Sequence, residues 1–452
     1  MSDDELPVAV IGAGPVGLAA AAHLAHRGAT PVVLEAGPTV GTSVLGWGHV
    51  RVFSPWRYNT DPVAREMLEQ QGWIAPDDDV YPTGRELVDL YLRPLSRLPG
   101  IAPHLRLGHR VRSIARAGLD RMTTAGRDAA PFSLTVTSAG REEELLARAV
   151  IDASGTYATP NPLGASGTPA RGEAAAADRI HYGIPDVLEL DRHRYAGRRV
   201  LVVGSGHSAF NVLIELAQLA EGEPGMSVTW AVRRPFAGTK YGGAENDALP
   251  ERGKLGARMR ALVDRGAVTQ TVLRISQVRQ DREGVFIGDS SREIGPFDEI
   301  VSATGFRPDL APLRELRLRL DDVLEAPSAL APLIDPNVHS CGTVPPHGAR
   351  ELAHPEAGFY IAGMKSYGRA PTFLMLTGYE QVRSIASALV GDVRGAESVE
   401  LVLPQTGVCS GGGNADCCGQ DGADDCGSPA SECCGTAATI IPLSALEAPA
   451  PR

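Results

Sequence analysis

Three groups of residues in this 452-residue chain have types and spacings that can do chemistry. The first is Gly12, Gly14 and Gly17 in "VAVIGAGPVGLAAAAHLAHRG", with Glu35 ending the next apolar run 23 positions after Gly12. Glycines at this spacing allow a tight turn, a close approach of backbone N–H groups to a pyrophosphate at a helix N-terminus, and close packing of helix on strand. An acid at the Glu35 position can hold ribose hydroxyls. The second group repeats the pattern as Gly204, Gly206 and Ala209 in "RRVLVVGSGHSAFNVLIELAQ", but its following apolar run ends in Arg233 and Arg234. Guanidinium groups pair with a 2′-phosphate that an acid would repel, so this site is expected to take NADPH in preference to NADH. The third group is six of the seven cysteines, Cys409, Cys417, Cys418, Cys426, Cys433 and Cys434, set among Gly, Ser and Asp near the C-terminus.

The glycines need strand–turn–helix units to position them, and both stretches read as such units. Two further segments, "AVIDASGTYATPNP" (149–162) and "EIVSATGFRPDL" (299–310), are apolar runs ending in small-residue turns where backbone comes close to backbone. "GFYIAGMKSYGRAPTFLMLTGYEQVRSIASALVGD" (358–392) predicts a strand, a turn at Gly363 and a long helix. The fold class expected is therefore α/β, with two Rossmann-like dinucleotide-binding domains and a flexible Cys-rich C-terminal tail. With 43% hydrophobic residues the chain can bury a large core. A net charge of −11 argues against broad nucleic-acid binding. No stretch reads as a membrane span or secretory leader, so a cytoplasmic, soluble protein is expected, and its oligomeric state stays open.

From residue 7 to about 392 the chain resembles the flavin-containing monooxygenase group of two-dinucleotide-binding-domain flavoproteins. The resemblance rests on the two glycine motifs, the paired small-residue crossovers and the C-terminal strand–turn–helix. With "GMKSYGRAPTF" and the cysteine tail it looks most like the ArsO-type flavoproteins of arsenic-resistance operons. It implies FAD in a domain made of residues 1–158 and 304–400, interrupted by an NADPH domain at 159–303, with the tail at 401–452. The cofactor-binding residues it implies are Gly12, Gly14, Pro15, Val16, Gly17, Glu35, Ala36, Trp47, Val111, Ala153, Ser154, Gly155, Thr304, Gly305, Gly363 and Met364 on the FAD side. Gly204, Gly206, His207, Ser208, Arg233 and Arg234 are those on the NADPH side. The chemistry implied is hydride transfer to flavin, capture of O2, and oxygen transfer to a soft nucleophile.

The chain departs from that pattern in three places. The segment "LGWGHVRVFSPWRYN" (45–59), expected to face the flavin, lacks the Asn that relatives place upstream, and offers Trp47, His49, Arg51, Ser54 and Trp56 in its stead. The family's G-x-G-N-S becomes "GSGHS", so His207 replaces an amide, which makes His207, Trp47 and His49 the candidates for catalysis. After Glu35 no cysteine occurs before Cys341, so no Cys pair stands beside the flavin as in disulfide reductases.

The tail cysteines do not follow C-x2-C zinc-ribbon spacing, and adjacent carboxylates such as Asp416, Asp424 and Asp425 disfavour thiolates. Three readings follow: capture of a soft metal or metalloid such as trivalent arsenic, a thiol shuttle to the flavin, or an idle low-complexity tail. The function expected is an NADPH- and FAD-dependent monooxygenase or oxidase of a soft centre, trivalent arsenic or an organoarsenical held by the tail. The alternatives are an NADPH-dependent reductase using tail cysteine pairs, and a metal(loid)-binding flavoprotein without turnover. The partners are then O2 and a small-molecule or metalloid substrate.

Overall fold

A computed structural model describes residues 6–235, 241, 250–338, 344–371 and 373–401. Sixteen strands are named in chain order. The N-terminal sheet contains β1 (Val8–Ile11), β2 (Pro31–Glu35), β3 (Leu105–Leu107), β7 (Ala149–Asp152) and β16 (Phe359–Ile361). They lie in the order β16-β7-β1-β2-β3, with every neighbouring pair parallel. A second five-stranded sheet joins β8 (Ile180–Tyr182), β9 (Arg199–Val203), β10 (Ser227–Val232), β11 (Thr269–Val272) and β15 (Glu299–Ser302), in the order β11-β10-β9-β15-β8, again all parallel. Two three-stranded antiparallel sheets complete the set. One is β4 (Arg110–Arg116), β5 (Phe132–Ser138) and β6 (Arg141–Ala147); the other is β12 (Gln277–Gln280), β13 (Val285–Gly288) and β14 (Glu293–Phe297).

The central strands are buried on both faces, which explains their continuous apolar runs: all four residues of β1, β7 and β15 are buried. Each parallel sheet carries its own core. The first is filled from the helix Pro15–His26 and the helix Met375–Leu389, the second from the helix His207–Ala220 and the helix Pro250–Asp264. The alanine-rich face of Pro15–His26 lets the Met375–Leu389 helix come close: a Cβ on Gly378 would stand 2.6 Å from the Val16 side chain.

The two sheets exchange the chain through two connections that run side by side. Asn161 N–H donates to the Gly305 carbonyl (2.9 Å), Arg307 N–H to the Thr159 carbonyl (3.0 Å), and the Asn161 side chain to the Thr304 carbonyl (3.1 Å). The Thr304 hydroxyl returns a bond to the Asn161 carbonyl (2.7 Å). The crossovers read from the sequence thus form a hydrogen-bonded antiparallel ribbon. His181 lies on the edge strand β8 opposite Val301. No helix among the described residues is long and apolar enough to cross a membrane.

Candidate functional site: two glycine cradles and a strap between them

The two parallel sheets present the same device at their carboxyl ends. Gly12 has φ +96°, and a Cβ there would lie 2.8 Å from the Ala153 carbonyl oxygen in the turn after β7. Gly204 has φ +133°, and its Cβ would lie 2.2 Å from the Ala303 carbonyl oxygen in the turn after β15. Both positions therefore require glycine for the chain's own geometry. Gly14 and Gly206 differ: each precedes its helix in extended conformation, and a Cβ on either would meet nothing within 4 Å among the described residues. No side chain caps either helix and no acid occupies either first turn. Each helix thus offers uncapped N–H groups and a positive dipole end across a space that only a missing Cβ keeps open. Gly17 closes the motif by packing, since its Cβ would fall 1.9 Å from the Gly12 carbonyl oxygen, and the buried Ala209 holds the corresponding place in the second unit. These cradles fit the diphosphates of two dinucleotides.

Glu35 does more than the sequence indicates. Its carboxylate accepts the N–H of Ala13 (2.8 Å) and of Gly37 (2.7 Å), and so clamps the first glycine loop to the end of β2. Ala36 beside it is exposed, and Val111 sits half-buried at a register shift between β4 and β5, packed under the sheet. Arg233 and Arg234 follow β10, both exposed and without a carboxylate partner among the described residues. Pro15 and Val16 open the first helix, and Ser208 lies in the first turn of the second, half-buried.

The turn after β16 is held by a closed network that sequence reading did not find. Gly363 N–H donates to Gln381 Oε1 (2.7 Å); Gln381 Nε2 donates to Ser366 Oγ (3.0 Å) and to His347 Nε2 (2.9 Å); Ser366 donates back to the Gly363 carbonyl (2.7 Å). His347 Nδ1 lies 3.0 Å from the Pro345 carbonyl, so the neutral tautomer with its proton on Nδ1 satisfies every partner. Burial lowers the His347 pKa and keeps the ring in that form. Met364 within this turn is half-buried.

Segment 45–59 straps the two halves together. Trp56 is buried in the first core and Trp47 packs against it, while Phe53 packs against the second core. Phe53 also meets the His207 ring edge-on with centroids 5.1 Å apart, and His207 in turn meets Phe210. Trp47 stacks on Tyr157 (6.3 Å), which contacts Phe306 (4.7 Å), so an aromatic row joins the strap to both crossovers. Asn59 is no substitute for the missing upstream Asn. It is buried, and its amide is spent on the Ser54 (2.6 Å) and Pro55 (3.0 Å) carbonyls. Arg51 is exposed and donates to the Tyr81 carbonyl.

Three buried polar atoms around the strap lack a hydrogen-bond partner among the described residues: Trp47 Nε1, His49 Nε2 and Glu215 Oε2. His49 Nε2 and Glu215 Oε2 face each other at 3.9 Å, across the boundary between the strap and the helix His207–Ala220. Burial lowers the His49 pKa, and burial with Asp186 nearby pushes Glu215 up to about 7, so both groups favour their neutral forms. Among the described residues no cluster of three His, Cys, Asp or Glu side chains could hold a metal ion. All seven cysteines lie outside the described residues.

The sequence profile of the pyridine nucleotide-disulphide oxidoreductase family matches residues 6–354. A ferredoxin–NADP reductase of Salinispora tropica is 30% identical over 319 residues, covering 70% of this chain and 79% of that protein. Among solved structures, bacillithiol disulfide reductase of Staphylococcus aureus matches with a TM-score of 0.60 at 18% identity, over 86% of this chain and 99% of the other. A flavin monooxygenase of Stenotrophomonas maltophilia matches at 0.53 and 21% identity, over 85% and 99%.

Three outcomes follow. Gly14→Val fills the open side of the first cradle and is expected to purify without bound flavin, with FAD affinity down by on the order of a hundredfold or more in a fluorescence titration. Replacing Arg233 and Arg234 together by Ala is expected to raise the KM for NADPH on the order of tenfold or more and to leave that for NADH nearly unchanged. For Glu215, a folded pKa raised from 4.5 to about 7 means that stability present below pH 4.5 is lost as pH rises through 7. Glu215→Gln is then expected to be more stable than the wild type by about 1–3 kcal/mol at pH 8, the difference vanishing in urea unfolding near pH 4.5.

Proposed function

The chain belongs to the pyridine nucleotide-disulphide oxidoreductase family and is a flavin-dependent enzyme of FAD and NADPH, and from that premise we propose that it is an NADPH-driven monooxygenase or oxidase of a soft centre. The observation that carries this reading is the pair of glycine cradles, each backed by a crossover turn, in a stretch with no cysteine from Ala36 to Ser340. The first cradle would hold FAD, which when bound would supply the hydride-accepting and electron-passing chemistry. The first loop and the uncapped helix end hold the FAD diphosphate, with Glu35 fixing the loop against β2. Gly204, Gly206, Arg233 and Arg234 hold NADPH, and the strap, with Trp47 and Phe53, keeps water from the junction. The domain exchange is assigned to the ribbon 158–161 and 304–307.

With no cysteine among the described residues, none of these supplies a disulfide, and the acceptor in this reading is brought to the flavin. O2 fits, in the balance NADPH + H⁺ + O2 + substrate giving NADP⁺, H2O and the substrate carrying one added oxygen. Trivalent arsenic is the substrate we favour. It is a soft, three-coordinate thiophile, and Cys409, Cys417, Cys418, Cys426, Cys433 and Cys434 offer the thiols to deliver it. A reductase is the second reading, favoured by the ferredoxin–NADP reductase relatives and by an Asn59 committed to the chain's own backbone.

Oxygen separates the two. Under the first reading, arsenite stimulates NADPH oxidation only in air, with one O2 consumed per arsenite oxidised. NADPH oxidation without O2 on addition of a disulfide, in the balance NADPH + H⁺ + RSSR giving NADP⁺ and two RSH, supports the reductase. Truncation after Pro404 is expected to leave FAD content and NADPH reduction unchanged, and to abolish stoichiometric arsenite binding measured by equilibrium dialysis. Arsenite binding by the truncated chain equal to that of the whole would remove the tail from the reading.

A further inference from the structure

Lys365 is one of only three lysines in the chain and it is buried, with 3% of its surface exposed. Its ammonium donates to Asp152 Oδ2 at 2.6 Å and to Ser154 Oγ at 3.1 Å. Asp152, 2% exposed, ends β7, and its other oxygen accepts the Ser154 hydroxyl (2.6 Å) and backbone N–H (3.2 Å). Lysine, aspartate and serine thus close a triangle in which the ammonium donates to both partners and the hydroxyl donates to the carboxylate. The triangle lies beneath an exposed surface: Ser154 itself is exposed, and its Cα would be 3.0 Å from a Cβ on Gly12. The turn 153–155 is therefore one wall of the first cradle, and Lys365 is the cation behind that wall.

Stability does not account for such a pair. Taking an ammonium and a carboxylate out of water costs more than their attraction commonly returns, and an apolar pair of similar volume is often as stable or more so. A charge relation with the occupant of the cradle does account for it. An unneutralised Asp152 carboxylate behind this wall would oppose an anionic diphosphate, and Lys365 cancels it at 2.6 Å. The side chain that does so comes from the turn Gly363–Tyr367, which the Gln381–His347–Ser366 network holds.

We propose that Lys365 is a positioning residue for the flavin nucleotide: by neutralising Asp152 and orienting Ser154 it sets the 153–155 wall against which the FAD diphosphate binds. This rests on the assignment of FAD to the first cradle, which Gly14→Val tests separately: FAD retained by that variant sinks the assignment, whatever Lys365 does. The inference itself is tested with the full chain and two variants, Lys365→Met and Lys365→Met combined with Asp152→Asn. FAD affinity is read by flavin fluorescence, the visible flavin spectrum by absorption, and NADP⁺ affinity by calorimetry. Lys365→Met is expected to weaken FAD on the order of tenfold or more and to alter the flavin band shape, with NADP⁺ affinity unchanged. The double variant, with no charge behind the wall, is expected to recover FAD affinity to within about threefold of the wild type. A single variant with wild-type FAD affinity, a loss shared equally by FAD and NADP⁺, or a double variant as poor as the single would each overturn the proposal.

Discussion

A carbonyl oxygen stands where the side chain of each first glycine would be, and the architecture of both cradles depends on that contact. The Ala153 and Ala303 carbonyls lie 2.8 and 2.2 Å from the positions a Cβ would take on Gly12 and Gly204. The turns after β7 and β15 can close this far over the glycine loops only because nothing is there. Any side chain would push the turn outward, and the turn leads directly into the crossover ribbon at Asn161 and Thr304. One steric allowance thus shapes the mouth of each cleft and fixes where the chain passes from one sheet to the other. Gly14 and Gly206 make the complementary case. Nothing among the described residues needs them small, so their openness is suited to a ligand.

The strap depends on these clefts in turn. Its aromatic residues divide between the two cores, Trp47 and Trp56 with the first and Phe53 with the second, so residues 45–59 cannot shift without disturbing both. Polar groups brought into such a place need partners, and Trp47 Nε1, His49 Nε2 and Glu215 Oε2 have none among the described residues. Keeping His49 and Glu215 neutral reduces the cost of that burial. A buried unpartnered indole N–H beside a row of rings at the cleft junction is suited to an acceptor supplied by a bound molecule.

Much of this was legible in the sequence where the physics is local. A glycine loop, its helix and the following charged residue occupy some 25 contiguous positions, and both units, both crossovers and the strand–turn–helix near residue 360 lie where the spacing puts them. The rest depends on pairs far apart in the chain. Lys365 meets Asp152 across 213 residues and Gln381 meets His347 across 34, and neither periodicity nor motif spacing announces such a partner. Glu215 reads as one more polar residue on an amphipathic helix, and only the packing of the strap against that helix buries it. The one local hint for Lys365 was composition: a lysine in a chain with 43 Lys and Arg, of which only three are Lys, stands in a segment that is otherwise small or apolar.

The two cradles share the same glycine device, yet the charges after their second strands are opposite in sign, one carboxylate at the first and two guanidinium groups at the second. At the first, the residue after the second strand's apolar run is Glu35, whose carboxylate is already engaged by the loop's own N–H groups. A nucleotide carrying a 2′-phosphate would bring a dianion against that carboxylate, whereas an unphosphorylated ribose can share it through hydroxyl donors. At the second, Arg233 and Arg234 stand exposed with no carboxylate partner among the described residues, a placement that favours the phosphorylated nucleotide. The difference between the two cradles therefore lies in side chains at the ends of β2 and β10, Glu35 at the first and Arg233 with Arg234 at the second.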